Sequence, residues 1–196
     1  MDPATPQARR LDNLLAALAL GICDALESTF REDGFDSTAA AVLVALLDFT
    51  PSGSVQRLSD VIGLTHSGAV RLVDRLAAGG LVERDAGDDL RSKCVTLTRA
   101  GRRAALRLRR KRAQVVQSAL GGLTAAQRRQ LTTACEAAVG SVTAQRLAMR
   151  AAGETPAGGA LCRLCDFAAC GRAEGRCPSA VMRAHVARGV PPGGDH

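Results

Sequence analysis

Apolar residues recur at three- and four-residue steps along most of the chain, and this spacing predicts a mainly helical protein. The first run, Leu11 to Leu26, predicts a long helix that ends before Gly34. A second helix is predicted after it, with Ser37 as its cap. Two more long helices are predicted over residues 99–120 and from residue 124 to about residue 152, the latter opening with a capping box.

The stretch 54–101 has a different organisation, because two short amphipathic segments meet there at a glycine. Apolar positions within 55–62 recur at helical spacing, so this segment is predicted to bury one face. Gly63 can adopt the left-handed conformation that ends a helix, and Thr65 or Ser67 can cap the next one. The pattern predicts two short helices joined by a tight turn.

A charged hairpin is predicted directly after the second short helix. The Gly79-Gly80 pair stops that helix, and residues 81–84 and 94–98 then alternate like two strands. The tip between them, 85–93, is acidic and then basic. Helix, turn, helix and hairpin form the order that a protein needs to place one helix in a DNA major groove and to brace it with a β-wing.

Specific residues strengthen this interpretation. The helix-turn-helix resembles that of MarR-type (multiple-antibiotic-resistance regulator) transcription factors in Leu64, Thr65, Ser67, Arg71, Leu72, Val73, Asp74, Arg75, Leu76, Gly80, Leu81, Val82 and Arg84. The hairpin is similar to that family's wing in Asp89, Arg91, Val95, Leu97, Thr98 and Gly101. In helix order the resemblance covers roughly residues 11–150. It implies that the terminal helices of two subunits interlock to form a homodimer.

The resemblance also implies which residues contact DNA. The second helix would enter the major groove with its N-terminal end nearest the bases. The residues so predicted are His66, Ser67, Arg71, Arg75, Asp89 and Arg91. Arg71 suits the two acceptors of guanine, Arg75 would meet a phosphate, and Arg91 would enter the minor groove while Asp89 holds it in place. The alternative for each arginine is a solvated surface charge.

Composition narrows the function further. The net charge of +7 favours a polyanionic partner. However, 24 of the 26 basic residues are arginine, and this skew also fits a GC-rich genome, so charge alone does not decide the partner. The chain has no basic N-terminal region followed by an apolar run, and no stretch is predicted to reach the length of a membrane span. The sequence therefore predicts a cytoplasmic protein without a membrane partner.

Four of the seven cysteines lie close together in the C-terminal region, as Cys162, Cys165, Cys170 and Cys177. A Cys-x-x-Cys pair presents two thiolates from one turn, and two more cysteines can complete a tetrahedral set. Because large apolar residues are scarce here, metal binding is the predicted source of this module's folding energy. The alternative is a tail with four free thiols. Cys23, Cys94 and Cys135 are isolated in the sequence.

The spacing favours an Fe–S cluster, with Zn²⁺ as the alternative. A structural zinc site usually pairs two Cys-x2–4-Cys units, whereas this segment has one such pair. A compact run of four cysteines ending in Cys-Pro is typical of iron–sulfur ligation. The spacing also resembles the cluster loop of certain DNA-repair glycosylases.

Together these observations predict a mainly α protein with a small β-wing: a winged helix-turn-helix, dimerised through its terminal helices, with a small C-terminal metal-binding module. The predicted domains are an N-terminal dimerisation helix (1–36), the winged helix-turn-helix (37–101), further dimerisation helices (102–152), a linker (153–161), the four-cysteine module (162–188) and a disordered tail (189–196).

The predicted function is that of a DNA-binding regulator, not an enzyme. Its predicted partners are double-stranded DNA at a pseudo-palindromic site, a second copy of the chain and a small-molecule effector. The four-cysteine module would act as a redox or metal sensor, or as a brace. Two alternatives remain open: an Fe–S redox protein or electron carrier, and a structural-zinc protein that binds other proteins.

Overall fold

The computed structural model describes residues 6–86, 93–154 and 156–188. Its elements follow one another as α1 (Pro6–Glu32), α2 (Ser37–Asp48), β1 (Gly53–Ser54), α3 (Val55–Ile62), α4 (His66–Ala78), β2 (Val82–Ala86), β3 (Lys93–Leu97), α5 (Arg99–Ala119), α6 (Ala125–Ala151), a 3-10 turn (Leu161–Leu164) and α7 (Pro178–Ala187). The mainly helical chain with a small hairpin is confirmed. The predicted disordered tail, 189–196, lies outside the described residues.

Five helices begin at a polar side chain that accepts a hydrogen bond from the first turn. These caps are Asp36, Ser54, Thr65, Thr98 and Thr124. The prediction of Ser37 as the cap of α2 is wrong by one residue, because the Asp36 carboxylate accepts from the Ala39 amide at 2.7 Å. The predicted capping box is confirmed, since Thr124 and Gln127 bond to each other's backbone amide.

Helix α2 lies at the centre of the hydrophobic core. Every residue from Ala39 to Leu47 is buried, and the helix packs against α1, α3, α5 and the 3-10 turn. The core around it is aliphatic, and Phe30 is the one aromatic residue of the described ranges that is fully buried. A core built from Ala, Val and Leu lets the helices approach closely, and it fixes α3 and α4 relative to α5.

The sheet has three antiparallel strands in the order β1-β3-β2. Strand β2 pairs with β3 from Val82 opposite Leu97 to Ala86 opposite Lys93. The short strand β1 pairs on the other side, with Gly53 opposite Val95. Because β1 leads directly into α3, the hairpin is attached to the start of the helix-turn-helix as well as to its end.

Helix α1 leaves five leucines exposed. Their exposed fractions run from 38% to 66%, and they are Leu11, Leu14, Leu15, Leu18 and Leu20. Helix α6 is similarly uncovered within the protomer, because it packs on α7 and buries only Gly140 and Thr143 along its length. Both helices therefore present apolar surface that this chain does not cover.

One segment of the described residues, Arg9–Glu32 in α1, is long and apolar enough to cross a membrane by length and composition. The prediction that no stretch reaches that length is therefore wrong. One such helix near the N-terminus is weak evidence for a membrane span, because the buried core helix of a soluble protein and a signal sequence pass the same test. Only 6% of this window is buried in the protomer.

Replacing Gly101 tests how closely α5 approaches the hairpin. A Cβ at this position would collide with the backbone carbonyl of Leu81, which cannot move without shifting β2. We expect Gly101→Ala to lower the free energy of unfolding by about 1–3 kcal/mol, measured by urea denaturation. Gly122→Ala is the control, because a Cβ there meets nothing within 4 Å. Equal stability of the two variants would contradict this packing.

Candidate nucleic-acid interface and cysteine cluster

Helix α4 has one buried and one exposed face. The buried positions are Ala69, Leu72, Val73 and Leu76. The exposed positions include all four residues predicted to contact DNA from this helix: His66, Ser67, Arg71 and Arg75. The start of the helix is fixed, because Gly63 ends α3 at φ 78° and the Thr65 hydroxyl accepts from the Gly68 amide at 3.1 Å. The periodic pattern thus places a rigid polar surface at the N-terminal end of α4.

The side chains of this surface differ in how firmly they are held. His66 Nδ1 lies 3.0 Å from Gln56 Oε1, which ties the imidazole to α3. Arg71 makes a long 3.4 Å bond from Nε to the Ser67 carbonyl, so its guanidinium remains largely available. Arg75 already donates to the Asp36 carboxylate at 2.8 Å. Its predicted contact with a phosphate would compete with this ion pair.

The hairpin is fastened to α4 by an ion pair and a hydrogen bond. Arg84 of β2 lies 2.7 Å from the carboxylate of Asp74 on α4. The Thr98 hydroxyl donates to the Gly80 carbonyl at 2.7 Å, which closes the base of the hairpin. The wing residues predicted to contact DNA, Asp89 and Arg91, lie outside the described residues.

The four C-terminal cysteines come together through three local turns. In the 3-10 turn the Cys165 amide donates to the Cys162 carbonyl at 3.0 Å, so both side chains leave the same face. Gly171 adopts φ 68°, and this reverses the chain after Cys170. Cys177 precedes the first residue of α7, where Pro178 occupies the first turn. All four side chains line one cavity of about 530 Å³.

The thiols of this cluster do not share one protonation state. The Cys162 pKa is lowered because its sulfur accepts a hydrogen bond from Cys165, with smaller contributions from the Ser179 hydroxyl and the Arg183 charge. The same bond, together with burial, raises the Cys165 pKa. Burial also raises the pKa of Cys170. The cluster therefore favours one thiolate next to protonated thiols.

The geometry bears on what such a cluster could bind. A tetrahedral zinc with Zn–S bonds of about 2.3 Å requires sulfur atoms about 3.8 Å apart. Among the residues that the structure describes, no group of three His, Cys, Asp or Glu side chains is arranged to hold one metal ion. The four thiols thus share a cavity without converging on a single point. The side chains as they lie do not form a ligand set for a metal ion, so the support for metal binding is that the four thiols line one cavity.

Sequence reasoning missed a fifth cysteine at this cavity. Cys135 of α6, isolated in the sequence, lines the same wall as the four-cysteine set. It is exposed, as is Cys23, whereas Cys162 and Cys177 are buried. Cys135 lies 27 residues before Cys162, on a different helix, so no spacing in the sequence marks it as part of the set.

The segment 156–160, which falls within the predicted linker, packs tightly on the end of α3. The Ala160 amide donates to the Val61 carbonyl at 2.7 Å. Gly159 and Gly63 face each other so closely that a Cβ on either would collide with the other segment's backbone. Arg146 of α6 holds the segment from behind, donating at 2.6–2.8 Å to the carbonyls of Ala157, Gly158 and Gly159.

A second set of contacts joins the cysteine module to the core. The Asp48 carboxylate, at the end of α2, accepts from Arg109 of α5 at 2.8 Å and from the Phe167 amide at 3.4 Å. Arg109 also lies 3.4 Å from Asp166. The Phe167 ring packs edge-on against Phe49 with centroids 5.7 Å apart. The module is therefore attached both to the helix-turn-helix and to α5.

Comparisons with known proteins agree with this architecture. Residues 33–92 match the family described as MarR family. A MarR family protein from Bacillus stearothermophilus has a TM-score of 0.60 at 20% identity, covering 68% of this chain and 93% of its own. YusO protein from Bacillus subtilis has a TM-score of 0.58 at 21% identity, covering 68% and 95%.

CouR from Rhodococcus jostii RHA1, solved bound to p-coumaroyl-CoA, has a TM-score of 0.54 at 21% identity and covers 68% of this chain and 94% of its own. The comparison with curated proteins finds no match. Residues 33–92 thus match the MarR family model, and the chain shares the fold of these solved structures. About a third of its length lies outside the shared fold.

Replacing Arg146 tests the attachment of 156–160 to α3. Arg146→Lys keeps the positive charge but loses the planar fork that reaches several carbonyls at once. We expect it to lower the free energy of unfolding by about 1–3 kcal/mol and to speed proteolysis near Ala157. Arg129→Lys, at an exposed position of the same helix, should leave both unchanged. Equal behaviour of the two variants would argue against a held segment.

Proposed function

We propose that this chain, which carries a MarR family domain, is a homodimeric transcriptional regulator that binds double-stranded DNA. The observation that carries the proposal is the capped N-terminal end of α4, where His66, Ser67 and Arg71 are exposed above a buried face. In helix-turn-helix proteins this end of the second helix meets the base edges. The chain's activity is thus binding and not catalysis, and we place the protein in the cytoplasm.

Exposed apolar surface supports the homodimer. The exposed leucines of α1 and the exposed side chains Val139, Val142 and Met149 of α6 are apolar surface that the protomer does not cover. Soluble monomers rarely expose contiguous apolar surface of this kind. Pairing the terminal helices of two copies would bury it. The two copies of α4 would then face successive major grooves, about one helical turn apart on a pseudo-palindromic site.

Arg71 provides the sharpest test of DNA reading. Its guanidinium is free to bond the two acceptors of guanine. We expect Arg71→Ala to weaken binding to duplexes selected by the wild-type protein from a random pool by about tenfold or more, measured by fluorescence anisotropy. The affinity of the wild-type protein should fall steeply with salt, because phosphate contacts release counterions.

The matched control for this test is Arg129→Ala, which removes another exposed arginine, from α6. It should leave the affinity for the selected duplexes unchanged. Equal losses from the two variants would indicate a diffuse electrostatic surface instead of a recognition helix. Failure of the wild-type protein to select any duplex at low salt would refute the proposed function.

We further propose that Cys162, Cys165, Cys170 and Cys177 hold an Fe–S cluster, with Zn²⁺ as the alternative. Four thiols that line one cavity support this proposal, because a ligand set must lie close together in space. Such a cluster supplies redox chemistry and sensitivity to iron supply. The residues of this chain would provide one ready thiolate, Cys162, and a wall that limits water at the others.

In this proposal the module acts as a sensor because it is attached to the DNA-reading part. The Ala160 amide, just before Cys162, donates a hydrogen bond to the Val61 carbonyl at the end of α3. The Phe167 amide donates one to the Asp48 carboxylate at the end of α2. Loss of the metal group would remove the folding energy of the module. The contacts at α3 would then loosen, and the position of α4 would change with them.

Metal analysis tests this part of the proposal. Protein purified without oxygen should show broad visible absorption, with iron and acid-labile sulfide in equal amounts. Cys170→Ser should lose most of both, whereas Cys23→Ser, at an exposed position of α1, should retain them. A colourless wild-type protein containing one zinc per chain would establish the alternative. Protein with neither metal would leave the four cysteines as free thiols.

The proposal includes a small-molecule effector. CouR, which shares this fold, was solved bound to p-coumaroyl-CoA. A regulator of this shape can respond to a ligand only if the ligand binds its two conformations with different affinity. We therefore expect an effector of this chain to contact α3 or α4 and, at the same time, an element outside the helix-turn-helix.

A further inference from the structure

Three polar side chains in hydrogen-bond contact connect α3 to the first residue of α4. The Gln56 amide nitrogen donates to the Asp60 carboxylate, with Nε2 3.3 Å from Oδ1. The oxygen of the same amide lies 3.0 Å from His66 Nδ1. All three side chains are exposed, and His66 is the first residue of the helix whose N-terminal end is predicted to meet the bases. The imidazole at this end is therefore held by two residues of α3.

The backbone places these side chains next to one another. Gln56 and Asp60 are four residues apart in α3, so they lie on the same face of that helix and can bond to each other. The amides of Gly63 and Leu64 both donate to the Ser59 carbonyl, at 2.8 Å and 3.0 Å. These two bonds fix the turn between the helices. The first residue of α4 is therefore held beside the first turn of α3 by main-chain contacts.

The Asp60 carboxylate decides which way the Gln56 amide points. A carboxylate can only accept hydrogen bonds, so the amide group that faces it is the NH₂ group. The amide oxygen must then face His66, and this oxygen can also only accept. His66 Nδ1 is consequently the ring nitrogen that carries the proton. In a neutral imidazole the second nitrogen, Nε2, is then a hydrogen-bond acceptor.

The other predicted contact residues of α4 do not offer a fixed acceptor. Arg71 and Arg75 have only donors, and the Ser67 hydroxyl can either donate or accept. His66 Nε2 has no hydrogen-bond partner among the residues that the structure describes. It lies on the opposite edge of the ring from Nδ1 and so points away from Gln56. Of these four side chains, His66 is therefore the one that can require a donor on the base.

We propose that His66 reads an exocyclic amino group of a base through Nε2, and that Gln56 and Asp60 are the positioning residues that fix this selectivity. In the major groove the amino groups are those of adenine N6 and cytosine N4, whereas guanine and thymine present a carbonyl oxygen at the same place. An acceptor nitrogen bonds to the amino group and is repelled by the oxygen. The base reading rests on the proposed function, whereas the tautomer of His66 does not.

Nitrogen NMR measures the tautomer without DNA. The chain has three histidines, so full-length protein carrying isotopically labelled histidine gives few signals, and His66→Gln identifies those of His66. In mildly alkaline buffer, with the imidazole neutral, we expect the proton on Nδ1 and none on Nε2. Asp60→Asn should give both tautomers, because an asparagine amide can donate to the Gln56 oxygen and let that amide reverse. A proton on Nε2 in the wild type would overturn the proposal.

Single base changes test the reading itself. Duplexes that the wild-type protein selects from a random pool are changed one base pair at a time, from A·T to G·C or from C·G to T·A, which replaces an amino group by a carbonyl oxygen. At one position of each half-site we expect the affinity, measured by fluorescence anisotropy, to fall by about tenfold or more. The change that has this effect identifies the base as adenine or cytosine. His66→Ala should bind both duplexes with nearly equal affinity.

Asp60→Asn separates a positioning role from a structural one. It should reduce the discrimination between the two duplexes to about threefold or less while the unfolding midpoint stays the same. Asp24→Asn, which removes an exposed carboxylate from α1, should keep the full discrimination. Equal discrimination in these two variants would overturn the role of Asp60.

The outcomes also separate this inference from the proposed function. Wild-type protein that binds selected duplexes without any His66-dependent loss on a base change contradicts this inference alone. Protein that carries the proton on His66 Nδ1 but binds no duplex contradicts the proposed function, and the base reading falls with it.

Discussion

Main-chain contact between the end of α3 and the segment 156–160 is the constraint on which the rest of the arrangement depends. Two glycines, Gly63 and Gly159, remove the side chains that would hold these backbones apart. The approach is close enough for the Ala160 amide to reach the Val61 carbonyl. This contact holds Ala160, the residue before the 3-10 turn that carries Cys162, beside the end of α3. Pro156, Gly158 and Ala160 of this segment line a cavity between α3, α6 and α7, and Cys162, two residues further on, lines the cysteine cavity.

Charged residues are paired in one part of the molecule and unpaired in another. Acidic residues at the ends of helices, such as Asp33, Asp36 and Asp48, are matched by arginine or lysine from another element. The Asp33 pKa is lowered chiefly by its hydrogen bond to Lys111. By contrast, Arg146, Arg150, Arg163 and Arg183 lie near one another, and none of these four forms a salt bridge with a carboxylate of the described residues. These three acidic residues are therefore neutralised by cations, whereas the arginines around the segment 156–160 keep an unbalanced positive charge.

Local patterns were sufficient to predict most of the fold. Periodic apolar positions gave the long helices, Gly63 gave the end of α3, and Thr65 gave the start of α4. They were insufficient where a residue's partner is distant in the chain. The pairing of Arg75 with Asp36 is one example, since nothing in the sequence near Arg75 marks a carboxylate from another helix. The DNA-contacting roles themselves remain predictions.

The predicted linker shows the same limit more clearly. A segment rich in Gly, Ala and Pro is typical of a flexible connection. Here the small residues serve close approach, and Arg146 supplies the hydrogen bonds that a flexible segment would leave to water. Composition alone cannot distinguish these two uses of glycine, because the distinction lies in what faces the segment. Cys135 could not be predicted for the same reason, because only the fold brings it to the cavity of the four cysteines.

The facing glycines at positions 63 and 159 also limit how this protein can be recombined with others of similar shape. A chimera that takes its helix-turn-helix from another protein would bring whatever side chain that protein carries at the turn. A side chain at position 63 would collide with the backbone of Gly158 and Gly159, so the segment 156–160 could not pack on α3 even if both halves of the chimera fold. Joining the cysteine module to another helix-turn-helix therefore requires that Gly63 and the turn around it are transferred as well.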